Sequence, residues 1–196
     1  MTKSRPKRAT PALLATAAIA LAGCSNSGSP PAPTLAASSQ PVNVAFTSSA
    51  IRGSKLPVLY TCHGRNVSPP LAWGPIPSGI RELALFAVGV RTVGRKSLSS
   101  VEWAMAGMKP GLRALRAGEI PPGAFLLADS DGAKRYSICP PGGRSERYVF
   151  ALLALPRGAR ASPKIPGVSL LRNLTQSTPA YESPVSGAFA VTFKAR

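Results

Sequence analysis

Acidic residues are scarce in this chain. Seven stand against 24 lysines and arginines in 196 residues, for a formal charge of +17. There is one histidine and there are three cysteines. That inventory speaks against a zinc centre, which draws three or four ligands from clustered His and Cys. A carboxylate calcium loop is poorly supported too. Asp129-Ser130-Asp131-Gly132 begins like one, but Pro140 stands where the bidentate glutamate belongs, so the segment reads as a turn. Aromatic residues make up 6%, so the core must lean on Val, Leu, Ile and Ala. No run of Lys/Arg interleaved with aromatics follows Arg8, which counts against a nucleic-acid surface. No internal repeat and no long apolar run beyond the N-terminal region are present.

What is present begins at the N-terminus. Lys3, Arg5, Lys7 and Arg8 precede an apolar run from Pro11 to Leu21, which ends in Leu21-Ala22-Gly23-Cys24. The run is too short and alanine-rich for a membrane span and reads as the apolar region of an export signal. Small residues followed by cysteine resemble a bacterial lipoprotein signal, residues 1–23. Cys24 is then the first mature residue and takes a diacylglycerol thioether, with further acyl chains such as palmitate. Two or more chains hold a protein stably, at about 0.8 kcal/mol per buried CH₂. The expected place is the extracytoplasmic face of the cell membrane.

Residues 24–40 are small, polar and proline-rich, as a flexible tether is. The remaining 41–196 are expected to form one domain. Beyond residue 23 the charge is still +13, a property of the domain that suits anionic envelope surfaces. Cys62 and Cys139 are left as an even pair in an oxidising compartment and are expected to form a disulfide, two buried free thiols being the alternative.

Glycine (18) and proline (21) punctuate short apolar runs, the pattern of a mainly β fold. Val42–Phe46 alternates, Leu83–Val88 is continuously apolar, and Val101–Met105, Arg147–Leu155 and Ala188–Phe193 are further strand candidates. One helix is expected after Pro166, with Val168, Leu171 and Leu174 at helical spacing.

Two stretches are specific. Tyr60-Thr61-Cys62-His63-Gly64-Arg65-Asn66-Val67-Ser68-Pro69-Pro70-Leu71-Ala72-Trp73 is one. Cys139-Pro140-Pro141-Gly142-Gly143-Arg144-Ser145-Glu146-Arg147-Tyr148-Val149-Phe150 is the other. Together they resemble the bacterial branch of the phosphatidylethanolamine-binding protein family, also called Raf kinase inhibitor protein-like, across about residues 42–196. That branch carries Y-T-C-D-G-x-N-x-S-P-P-L-x-W, then D-D-P-D-A-P, then H-W, then G-P-C-P-P-x-G-x-H-R-Y. The resemblance implies a large central β-sheet packed on a smaller one, with one or two short peripheral helices. It also implies a small anion-binding pocket near the strand ends.

The pocket residues depart from that pattern. The strand from Leu83 runs on as Gly89-Val90-Arg91-Thr92, with neither the aspartates nor the proline. Glu102 stands before Trp103 where the family has histidine, and Glu146 replaces the histidine before Arg147-Tyr148. Pro140, Pro141, Arg147 and Tyr148 match. The remodelled pocket is therefore expected to comprise Gly89, Arg91, Glu102, Trp103, Pro140, Pro141, Glu146 and Tyr148. Two readings of it are open: a Glu–Arg network with Arg91 that plugs the site, or a site re-tuned to cationic or neutral ligands.

His63 sits at a family aspartate position. A dyad with adjacent Cys62 is poorly oriented, since strand neighbours face opposite ways. The chain is accordingly expected to be no enzyme, with no catalytic residue, metal or cofactor. It reads as an envelope-tethered binding or interaction module. Its partners are the membrane, through lipid on Cys24, and a small ligand or an envelope protein; the oligomeric state is open. The alternatives are a regulator or inhibitor of an envelope hydrolase or kinase, or a binder of small headgroup-like molecules.

Overall fold

The first part of Leu83–Val93 (β4) lies inside the protein because its first six side chains are all apolar and a hydrophobic core covers each face. The structure, a computed structural model, describes residues 42–140, 144–155, 159–175 and 185–194. All fall in one compact unit, Ser39–Arg196. The lipoprotein signal, Cys24, the tether and Pro141 lie outside the described residues.

β4 is flanked by Lys96–Met108 (β5) and Ser145–Ala154 (β8), both antiparallel to it. Val185–Lys194 (β9) pairs with β8, Val42–Asn43 (β1) runs parallel to β9, and Phe125–Leu126 (β7) borders β5. The six-stranded order is β1-β9-β8-β4-β5-β7. A smaller sheet joins Phe46–Thr47 (β2), Leu71–Trp73 (β3) and Ala114–Leu115 (β6) in the order β2-β3-β6. A large sheet on a small sheet with one described helix is the architecture that the sequence implied.

The alternation of β4 feeds two cores. Leu83, Leu85 and Ala87 face the small sheet, meeting Phe46, Leu71, Trp73 and Leu115. Ala84 and Phe86 face Leu170 and Leu174 of the helix Gly167–Thr175 (α1), with Leu127 and Leu155. Each fully buried side chain of Leu or Phe size contributes about 1.5–3 kcal/mol. The helix starts directly after Pro166, whose missing N–H is harmless in a first turn. Leu170 and Leu174 are its buried leucines, while Leu171 packs at the rim. Tilted and stacked contacts of Phe189 with Phe46 (5.1 Å) and Phe150 (5.2 Å), respectively, tie β9 to both sheets.

Three strand expectations need correction. Val42–Phe46 is not one strand: the chain leaves the large sheet after Asn43 and enters the small one at Phe46. Val44 and Ala45 make the crossing, with Val44 N–H bonded to Ser186 O at 2.8 Å. The strands at Leu83 and Val101 are much longer than their apolar stretches, because they continue as a paired hairpin of mixed polar and apolar residues. Cys62 and His63 are not strand neighbours; they lie in a turn that follows the 3₁₀ turn at Val58–Tyr60.

That turn is held against the segment before β8. Cys62 N–H bonds to Ile138 O at 2.9 Å, and the buried Tyr136 hydroxyl donates to Tyr60 O at 2.9 Å. Cys62 and Cys139 are joined by a disulfide, their Cα atoms 5.1 Å apart and 77 positions apart in sequence.

Candidate functional site

β4 has one bare position among its neighbours' side chains, Gly89. It pairs with Ser100 on β5 and Tyr148 on β8. Directly paired residues share a face, so the Ser100 and Tyr148 side chains flank an empty spot. A β-carbon at Gly89 would stand 3.0 Å from Glu102 Oε1, 3.3 Å from Ser100 Oγ and 3.4 Å from Glu146 Oε1. The two glutamates at the family's histidine positions therefore reach the same point.

They arrive by different routes. Glu146 lies two residues before Tyr148 on β8, hence on the same face. Glu102 is carried by a β-bulge. Ala87 pairs with Trp103 and Val88 with Val101, which leaves Glu102 as the extra residue. A bulge turns consecutive side chains toward one face. Here it lets Glu102 face Gly89 while Trp103 still enters the core between the sheets.

Each carboxylate is bound by a neighbouring hydroxyl. Ser100 Oγ donates to Glu102 Oε1, and Tyr148 OH donates to Glu146 Oε2 at 3.0 Å. Burial pushes the Glu102 carboxyl above its ordinary range; the Ser100 hydrogen bond offsets part of that, and the charge of Glu146 adds to the rise. Burial likewise raises the Tyr148 hydroxyl far above its usual range, helped by the Glu146 charge.

Beyond Val90–Arg147 the strands β4 and β8 stop pairing, and the gap between them opens a cleft of about 410 Å³. Arg91, Arg144, Glu146, Arg147, Thr92 and Thr192 are among its walls. Glu146 thus borders both the cleft and the spot above Gly89.

The expected Glu–Arg network is absent. Arg91 is exposed and makes no ion pair with Glu102 or Glu146; among the described residues the ion pair found is the exposed Arg116–Glu119 contact at 3.8 Å. Hydroxyls, not a guanidinium, hold the carboxylates, because Arg91 sits past the point where β4 and β8 separate. Trp103 also stands apart: it stacks edge-on to Tyr136 at 5.6 Å and borders a different cavity with Asn66 and Ser68. Pro140 is buried beside the disulfide. Gly89, Glu102, Glu146 and Tyr148 are therefore brought together, with Arg91 at the cleft mouth.

Ser100 and Arg144 line this region without having been singled out, and Arg147, noted only as a match to the family pattern, joins them. Alternation from Glu102 could have pointed to Ser100. His63 is exposed and stacks on Phe193 at 6.1 Å. Its neighbour Cys62 is in the disulfide and cannot act as a nucleophile. Asp129 forms the expected turn: its Oδ1 accepts from the N–H groups of Asp131 (2.9 Å) and Ala133 (2.8 Å). Among the described residues, no three His, Cys, Asp or Glu side chains cluster as metal ligands would. No described helix is long and apolar enough to cross a membrane.

Comparison with known proteins shows the family that carries this fold. The family model described as phosphatidylethanolamine-binding protein matches residues 46–189. The chain belongs to that family. A relative named "Putative lipoprotein LppC", from Mycobacterium tuberculosis, is 33% identical over 175 residues, covering 81% of this chain and 85% of its own. A Methanothermobacter thermautotrophicus protein, known by the family label UPF0098, is 33% identical over 107 residues, 52% of this chain and 68% of its own. Two solved structures share the fold at 21% identity. One is a phosphatidylethanolamine-binding protein homologue from Chlamydia trachomatis, with TM-score 0.66 over 79% of this chain and 99% of its own. The other is YbcL of E. coli, with TM-score 0.62 over 78% and 99%.

Proposed function

We propose that this protein is a lipid-anchored, non-catalytic binding module of the cell envelope, its family pocket remodelled to take a small cationic or neutral ligand. Residues 1–23 are the export signal, Cys24 carries the lipid, 24–40 form the tether and 41–196 the binding domain. The anchor is supported by the Leu21–Cys24 sequence and by the LppC relative's name. The single observation that carries the pocket reading is the convergence of Glu102 and Glu146 over Gly89. Two carboxylates at one spot repel a phosphate-like anion and attract an ammonium group. The lack of an ion pair from Arg91 leaves that charge to a ligand.

A thermal-shift comparison tests the pocket. Ethanolamine should raise the melting temperature, inorganic phosphate should not, and Glu102→Gln with Glu146→Gln should abolish the response. Stabilisation by phosphate with no response to amines overturns the ligand class. A flat response to both makes the cluster structural. Mass analysis of the mature N-terminus tests the anchor: Cys24 should carry acyl mass, and Cys24→Ala should move the protein to the soluble fraction.

A further inference from the structure

The outer part of the β4–β5 hairpin stands clear of the sheet. β8 follows β4 only to Val90–Arg147, whereas β4 and β5 continue pairing to Val93–Lys96. Every residue from Arg91 to Ser99 is exposed. A two-residue turn, Gly94-Arg95, closes the hairpin, and Gly94 at φ +61° supplies the left-handed first position that such turns favour.

Pairing sorts the side chains by face. Arg91 pairs with Leu98 and Val93 with Lys96, so these four project from one face. Thr92 and Ser97 pair on the other. One face is cationic and apolar; the reverse carries hydroxyls. Val93 is 52% and Leu98 47% exposed, with Arg95 adding a third cation at the turn. No acidic residue occurs between Glu82 and Glu102.

We infer that this hairpin docks on an anionic lipid bilayer, through Arg91, Arg95 and Lys96 at the headgroup phosphates and Val93 and Leu98 at the acyl boundary. The charge is complementary, and apolar side chains between cations suit the layered chemistry of a membrane surface. The nearness of a membrane rests on the proposed lipid at Cys24. The geometry permits both contacts at once. Val42 joins the sheet beside Val185, at the end away from the hairpin tip. From there Ser186, Leu153 and Ala84 lie in register, and Val93 is nine residues further along β4, about 30 Å at strand rise. A chain of the length of 24–40 can reach at most about 55 Å when fully extended, which exceeds that span.

Vesicle sedimentation tests this with the unlipidated Ser39–Arg196 unit, which holds both cores and the disulfide. The domain should bind phosphatidylglycerol-rich vesicles, release as salt rises and ignore neutral phosphatidylcholine vesicles. Each surface cation is worth about fivefold in partitioning, so Arg91→Gln, Arg95→Gln and Lys96→Gln together should weaken binding about a hundredfold. Val93→Ser with Leu98→Ser should weaken it at unchanged charge. Arg52→Gln, Arg160→Gln and Arg172→Gln, exposed cations elsewhere, should have a much smaller effect. All variants should keep the parent melting temperature. Absence of vesicle binding, or equal losses for both arginine-containing sets, overturns the docking face. Neither result bears on the anchor or the pocket reading, since the acyl mass and the ethanolamine response are read on the parent chain and on the Cys24, Glu102 and Glu146 variants, not on the hairpin variants.

Discussion

Glu102 and Glu146, 44 positions apart and on strands separated by β4, each bring an Oε1 atom to within 3.4 Å of where a β-carbon on Gly89 would stand. The space between them exists because residue 89 has no side chain. Its backbone is ordinary strand, so the requirement is room rather than conformation.

Gly89→Ala follows from that. The added methyl meets the ends of side chains, which can move by a few tenths of an ångström. Alanine also narrows the unfolded ensemble, worth about 0.4–1 kcal/mol in its favour where the backbone suits it. Stability should change by less than about 1 kcal/mol, while ethanolamine stabilisation disappears. Urea unfolding beside the thermal-shift assay checks both; a large loss of stability with ligand response intact would contradict the arrangement.

Glu102 gives the pH dependence. Its folded carboxyl titrates above the ordinary 4.5, chiefly through burial. Between 4.5 and the raised value the folded state holds a proton that the unfolded chain has lost. Stability contributed by this group is therefore present at low pH and lost as pH rises through that window. Glu102→Gln removes the dependence. Relative to the parent, its urea midpoint should rise from pH 4 toward neutrality and then level off. NMR titration of the parent should place the Glu102 midpoint above 4.5. A parent–variant difference that stays flat with pH would count against the buried carboxylate.

The scaffold was legible in the sequence, and the site only partly so. Leu83–Val88 announced a central strand, because a strand buried on both faces must be apolar at every position. Pro166 and the leucines after it marked the helix. The substitutions at 102 and 146 were visible against the family pattern. The bulge was not, since it depends on how β4 and β5 meet, and only the bulge lets Glu102 and Trp103 both face inward. The position of Arg91 was missed for a similar reason: where β4 and β8 part is set by pairing, not by composition. The break after Asn43 escaped because Val42–Phe46 alternates smoothly through it.

Tyr136 makes a separate prediction. Its hydroxyl, in a buried setting, donates to Tyr60 O at 2.9 Å across 76 residues of chain. Tyr136→Phe keeps the ring against Trp103 and strands a carbonyl without that donor. The loss should be about 1–3 kcal/mol in urea unfolding, the range for an unsatisfied buried group. Because the same bond pins the Cys62 turn, the variant should also speed reduction of the disulfide by dithiothreitol. An unchanged reduction rate would separate the two anchors.

The Cys62–Cys139 bond closes a loop of 77 positions that contains β3 through β7. Cross-linking a loop of that size removes unfolded-state entropy worth about 4 kcal/mol on the chain-entropy account. The fold also has two hydrophobic cores and a continuous four-strand ladder from β5 to β9, none of which passes through the sulfurs. Cys62→Ser with Cys139→Ser should therefore leave a folded protein with a lower urea midpoint, by about 2–4 kcal/mol, rather than an unfolded chain. Circular dichroism should keep its β signature at low temperature. Alkylation of the unreduced parent should label neither cysteine; labelling of both would show the bond absent in solution and remove the basis for the predicted loss.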